Sequence, residues 1–136
     1  MRNVVAKGRP SLGLGAVFHR LIRTHIWGMD IHPSARIEPG ALIDRTWPRG
    51  IHIGAQTYID CEAVVLSHDF TRNLNTDTRI GARCVLGARA IVMPGTTIGD
   101  DCVVEPGALV NKDMPPRTIA RGNPAQIRDR EEQPSR

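Results

Sequence analysis

The sequence predicts an all-β chain wound as a parallel β-helix of about four coils, with an N-terminal helical cap and a short C-terminal tail. Three observations predict it. From Ile80 to Val110 an aliphatic residue recurs every six places, at Ile80, Leu86, Val92, Ile98, Val104 and Val110. Four places after each of the first five stands a small residue: Cys84, Ala90, Thr96, Cys102 and Ala108. Between them fall the corner-forming pairs Pro94-Gly95 and Pro106-Gly107. A helix of about 3.6 residues per turn cannot hold a period of six, and a flat strand asks for an inward residue at every second place. A chain that turns a corner every six residues meets the pattern. The small residue and the next aliphatic are two places apart and share the inward face, while proline presets φ and glycine accepts positive φ at the turn. Three blocks close one triangular coil, so Cys84 stacks under Cys102, Ala90 under Ala108 and Ile80 under Ile98.

Composition agrees with a narrow prism. At 136 residues the chain is one domain by length, and 4% aromatic content excludes an aromatic-rich core. Stacked Ile, Val, Leu, Ala and Thr fill such a coil instead, each rung touching only its neighbours, and the partly apolar faces predict a homo-oligomer. The net charge of +4 and pI near 9.5 suit a polyanionic small molecule or an anionic surface. Nucleic acid is not expected, because no dense Lys/Arg run with interleaved aromatics is present. No apolar run reaches the ~18 residues of a membrane span. Three cysteines without a secretory leader point to a cytoplasmic setting with free thiols. Cys84 and Cys102 read as small inward hydrophobes, and Cys61 falls at a corner.

Residues 1–30 stand apart from the hexads. Arg2, Lys7, Arg9, Arg20 and Arg23 precede the first acid, Asp30, and Leu14, Val17, Phe18, Leu21, Ile22 and Ile26 have helical spacing. This basic amphipathic helix reads as a cap over the open end of the coil. The same apolar stripe offers a peripheral contact to the inner membrane. The β-helix domain spans 31–115. Hexads begin at Ile31 and break twice, in loops 44–52 and 66–79, and both breaks follow the third block of a coil. The two insertions are therefore expected at one edge of the prism, where solenoids concentrate binding loops. Pro115-Pro116 reads as the stop, since proline cannot donate to a ladder. Residues 116–136 form a C-terminal extension whose end, 128–136, reads as disordered.

The histidines sort by place. His19 and His25 belong to the helix, and His32 and His52 flank inward aliphatics and so point outward. His68 opens the longer insertion within Ser67-His68-Asp69, at the edge where both loops emerge. Histidine is the side chain best suited to accept a proton near neutral pH.

The hexads, the Ser67-His68-Asp69 loop and the ending VNKDMPPRTIARGNPAQI together resemble the hexapeptide-repeat acyltransferases. The likeness covers residues 31 to about 128. It is to the maltose and galactoside O-acetyltransferases and, more specifically, to the small sugar O-acetyltransferases of bacterial capsule and exopolysaccharide biosynthesis. The resemblance implies a left-handed helix, an exception to the usual crossover handedness. It also implies a homotrimer that binds acetyl-CoA in the cleft between neighbouring prisms, with no metal. His68 matches the family's catalytic histidine, a general base that takes the proton from an acceptor hydroxyl as it attacks the thioester. Either Asp69 or Glu62 is a candidate to orient the imidazole. The oxyanion donor is expected near Gly87 or Ala88, in the coil beside the loop. Ala88 and Pro106 match corners along the pantetheine arm, and Asn111 and Lys112 match positions near the nucleotide end. Arg121, Arg128 and Arg130 add to that phosphate field. Two departures stand out: Val85 occupies a place where many relatives carry tryptophan, and the small acceptor-binding domain of the maltose-type enzymes is absent or reduced to residues 1–30.

Two rival readings use the same architecture. A γ-class carbonic anhydrase needs two zinc-binding histidines five residues apart, and five after His68 stands Asn73. A non-catalytic β-helix scaffold needs none of the loop histidine, Lys112 or the Gly122-Asn123-Pro124-Ala125 ending.

Overall fold

A computed structural model describes residues 13–130. Helix α1 spans Leu14–Leu21 and runs on through a π-helical turn at Ile22–Ile26. Strands follow in threes. The first set is β1 (Asp30–Ile31), β2 (Arg36–Ile37) and β3 (Leu42–Ile43), and the second is β4 (Ile51–Ile53), β5 (Tyr58–Ile59) and β6 (Val64–Val65). A hairpin of β7 (His68–Asp69) and β8 (Leu74–Asn75) interrupts the winding. Next come β9 (Thr78–Ile80), β10 (Val85–Leu86) and β11 (Ile91–Val92), then β12 (Thr97–Ile98), β13 (Val103–Val104) and β14 (Leu109–Val110). Strands β15 (Thr118–Arg121) and β16 (Gln126–Asp129) end the described chain.

Like strands of each set stack in parallel and make three faces. Face one is β1-β4-β9-β12, face two is β2-β5-β10-β13-β15 with β16 at its edge, and face three is β3-β6-β11-β14. The register matches the hexads, with Ile80 beside Ile98, Leu86 beside Val104 and Val92 beside Val110. Every leading aliphatic on these rungs is buried, as are Ala63, Cys84, Ala90, Cys102 and Ala108 in the small place. Each buried Ile, Leu or Val contributes roughly 1.5–3 kcal/mol. The corner geometry holds where the sequence has no glycine: Gln56, Glu62, Arg83 and Arg89 adopt φ of 58°, 58°, 56° and 59°. All three cysteines are free. The Sγ–H groups of Cys84 and Cys102 donate to the carbonyls of Gly99 and Pro115, each at 3.1 Å.

Three features differ from the sequence reading. Pro115-Pro116 does not stop the winding: Met114 bridges Ile98, and β15 pairs with β13. The prolines sit at a corner, where no ladder N–H is needed, and a Cβ on Gly99 would lie 2.7 Å from the Pro116 nitrogen. Arg128 and Asp129 are not disordered but pair with Ile119 and Thr118 in the antiparallel β15–β16 ladder, while 131–136 lie outside the described residues. The β15 ladder holds this edge strand through its backbone while Ile127 packs against the core, so Arg128 and Asp129 can be charged. Third, the apolar stripe of α1 is only partly covered. Leu14, Phe18, Leu21 and Ile26 are exposed, Val17 and Ile22 are partly buried, and Arg20 and Arg23 line a cleft against the first rung. Arg2, Lys7 and Arg9 lie outside the described residues.

Candidate active site

The two insertions do share one edge. Each leaves face three, after β3 or β6, and each re-enters face one, at β4 or β9. Because Ile43 pairs with Val65, the first residue of one insertion lies against the beginning of the other. That first residue is Asp44, whose side chain is 1% exposed. Its Oδ1 accepts the Thr46 N–H at 2.8 Å and closes the turn of the first insertion. Its Oδ2 accepts the Ser67 N–H at 2.8 Å, the His68 N–H at 2.9 Å and the His68 Nδ1–H. Ser67 Oγ returns a hydrogen bond to the Trp47 carbonyl at 2.6 Å. Gly50 permits this close approach, since a Cβ there would run into the Thr76 carbonyl and lie 2.9 Å from Ser67 Cβ.

One buried carboxylate thus ties both insertions together and holds the imidazole. Burial pushes the Asp44 pKa up, but the N–H donors from Ser67, His68 and Thr46 together outweigh it and hold the group below its usual value. An ionised carboxylate only accepts hydrogen bonds, so the ring proton of His68 resides on Nδ1. Nε2 carries the lone pair and has no protein partner among the described residues. His68 keeps 19% of its side chain exposed. The Phe70 ring stands edge-on to it at 4.7 Å between centroids and is itself 80% exposed.

The other site residues expected from sequence are distributed differently. Asp69 does not orient His68. It accepts from Thr71 Oγ1 at 2.5 Å and Arg72 Nε at 2.6 Å, contacts that hold its pKa well below the carboxylate range. Glu62 is paired with Arg89 at 2.5 Å. Asn111 and Lys112 are exposed and follow β14, so they leave face three at the same edge as His68. Gly87, Ala88 and Pro106 lie at the next edge, between faces two and three, and not beside the insertion. The Gly87 N–H is consumed by the Val104 carbonyl at 2.8 Å, whereas the Ala88 N–H has no acceptor among the described residues.

His52, expected on a solvated face, joins two elements near the site. Its Nδ1 lies 3.0 Å from Asp30 Oδ2, and its Nε2 lies 2.9 Å from Asp77 Oδ1 at the foot of the hairpin. Among the described residues no group of three or more His, Cys, Asp or Glu is placed to hold a metal. No helix among them is long and apolar enough to cross a membrane.

Asp44 and Phe70 escaped the sequence reading. Asp44 had a signal. It opens the first insertion as His68 nearly opens the second, and equivalent places on successive coils stack.

Comparison with known proteins agrees with this architecture. Residues 77–112 match the model for the hexapeptide repeat of succinyl-transferase. Over 117 residues, 81% of this chain and 35% of the relative, the sequence is 35% identical to serine acetyltransferase 2 of Arabidopsis thaliana. It is also 35% identical over 89 residues to a putative acetyltransferase of Bacillus subtilis, covering 62% of this chain and 50% of that one. The chain therefore spans half or less of these relatives' length. Among solved structures, a hexapeptide-repeat-containing acetyltransferase from Vibrio cholerae superposes with a TM-score of 0.61 at 22% identity, over 85% of this chain and 80% of that one. A maltose O-acetyltransferase from Clostridium difficile gives 0.59 at 22% identity, over 74% and 68%.

Proposed function

The chain belongs to the hexapeptide-repeat acetyltransferase family, and from that premise we propose that it transfers an acetyl group from acetyl-CoA to a carbohydrate hydroxyl, with His68 as general base. One observation carries the reading. The Nδ1–H of His68 is held by the buried Asp44 carboxylate, so the basic lone pair sits on the accessible Nε2. An acceptor hydroxyl gives its proton to Nε2 as its oxygen attacks the thioester carbonyl. Asp44 stabilises the imidazolium formed. The tetrahedral oxyanion then collapses, the C–S bond breaks, and the departing thiolate takes the proton from Nε2. No covalent acyl-enzyme is required. The Ala88 N–H is the available backbone donor for the oxyanion. Asn111 and Lys112 meet the nucleotide end of the cofactor.

His68 and Lys112 lie on one edge while Ala88 and Pro106 lie on the next. One chain cannot close this site by itself, which supports a homotrimer with the cleft between copies. We assign the helix a left hand and about four coils, an N-terminal segment that caps the lower end, and a cytoplasmic location. Phe70 supports a sugar acceptor, because its exposed ring gives the apolar C–H face of a pyranose a surface beside Nε2. The likeness to serine acetyltransferases favours a second reading, the hydroxyl of a small amino acid.

The test is thiol release from acetyl-CoA across simple glycosides, nucleotide sugars and L-serine, for the wild type and His68→Ala. His68→Ala is expected to bind acetyl-CoA normally and to lose at least about 100-fold in transfer rate. Near-full activity in that variant would remove His68 from the mechanism.

A further inference from the structure

Beneath α1 lies a cleft that the acetyl-transfer chemistry does not use. It is lined by Ala16, Arg20 and Arg23 from the helical segment and by Ile31, Ala35 and Ile37 from the first rung. Arg20 is anchored through one nitrogen, which donates to the Pro33 carbonyl at 2.9 Å. Arg23 is half-buried and pairs with no carboxylate among the described residues. Arg45 comes from the first insertion to the end of the same helical segment, its guanidinium 5.7 Å from the centre of the Trp27 ring. Burial lowers the Arg23 pKa, and the positive charge of Arg45 lowers it further.

Arg20 and Arg23 bring two guanidiniums to one cleft, Arg23 partly desolvated, an arrangement that is costly without a counter-charge. Elsewhere on this prism the chain supplies one: Arg83 has Asp101, Arg89 has Glu62 and Arg121 has Glu105. Here it does not. The fork of N–H donors on each arginine matches the oxygens of a phosphate group.

We propose that Arg20, Arg23 and Arg45 form a phosphate-binding site under α1, separate from the cofactor cleft. The phosphate can come from a soluble phosphate ester or from an anionic lipid headgroup. The exposed Leu14, Phe18 and Ile26 on the outer face of α1 make the lipid source concrete.

The experiment is calorimetric titration of the full chain, saturated with coenzyme A to fill the cofactor cleft, with inorganic pyrophosphate. A second arm sediments the protein with phosphatidylcholine vesicles that do or do not contain phosphatidylglycerol. Wild type is expected to bind the probe in at least one arm, and Arg23→Gln and Arg45→Gln to weaken that binding by about tenfold or more. Binding confined to phosphatidylglycerol vesicles assigns the lipid source, and pyrophosphate binding assigns the soluble one. Without ligand, Arg23→Gln is expected to melt no lower than wild type, because it removes a charge that has no carboxylate partner among the described residues. Failure of wild type to bind either probe overturns the site. So does unchanged binding in Arg23→Gln, or a lower melting temperature with unchanged affinity.

Discussion

The Nδ1–H of His68 donates to Oδ2 of Asp44, a residue 24 places earlier that opens the other insertion. The same oxygen accepts the backbone N–H groups of Ser67 and His68, so the carboxylate fixes both the loop and the ring. The imidazole is held in one tautomer and one orientation before any substrate arrives.

Removing this charge tests that role. Asp44→Asn is expected to lower kcat by on the order of 10²–10⁴ while leaving the acetyl-CoA dissociation constant unchanged. Asp69→Ala, which breaks only the Thr71 and Arg72 contacts, is expected to leave kcat almost intact. The pair is measured by steady-state thiol release over a range of pH. Equal losses in the two variants would place the orienting group elsewhere.

Asp44 also gives stability a pH dependence with a definite sign. Its folded pKa lies below the ordinary value of 3.8. Its contribution is therefore fully present above that ordinary value and is lost as pH falls through the lower, folded one. Urea midpoints of the wild type are expected to drop across this acid window, and those of Asp44→Asn to drop less. Parallel curves would show that the carboxylate is not selectively stabilised in the fold.

A site divided between edges should complement between copies. His68→Ala and Ala88→Trp damage different edges, so each alone is expected to be inactive. Co-expressed as mixed oligomers, they are expected to regain transfer activity, because some clefts pair an intact His68 edge with an intact Ala88 edge. Activity that stays absent in verified mixed oligomers would mean that each chain closes its own site.

The thiols make a structural prediction. Cys84 and Cys102 are wholly buried and donate to backbone carbonyls, and the contact with Cys102 together with burial pushes the Cys84 thiol up. Iodoacetamide is expected to alkylate only the exposed Cys61 in the folded protein, and all three cysteines in urea. Mass spectrometry after a timed quench reads the difference.

Much of the site was legible as position and little of it as contact. Hexad counting places both insertions at one edge and puts His68 there. It cannot say that Asp69, next in sequence, turns away to close its own hairpin through Thr71 and Arg72. Nor does it show that Gly87 and Ala88 leave the coil one edge away from His68, since the expected neighbourhood followed the chain and not the corners.

By itself the sequence determined the period of six, the three faces, the inward residues and the edge that carries the loops. These follow from a local rule, repeated coil by coil, in which each residue's burial depends on its own place in a block. The tertiary structure decided the partner of His68, the partial exposure of the α1 stripe and the passage of the winding through Pro115-Pro116. Those depend on which polar groups meet when successive coils stack. A carboxylate reaches an imidazole 24 residues away because the ladder between Ile43 and Val65 puts them side by side.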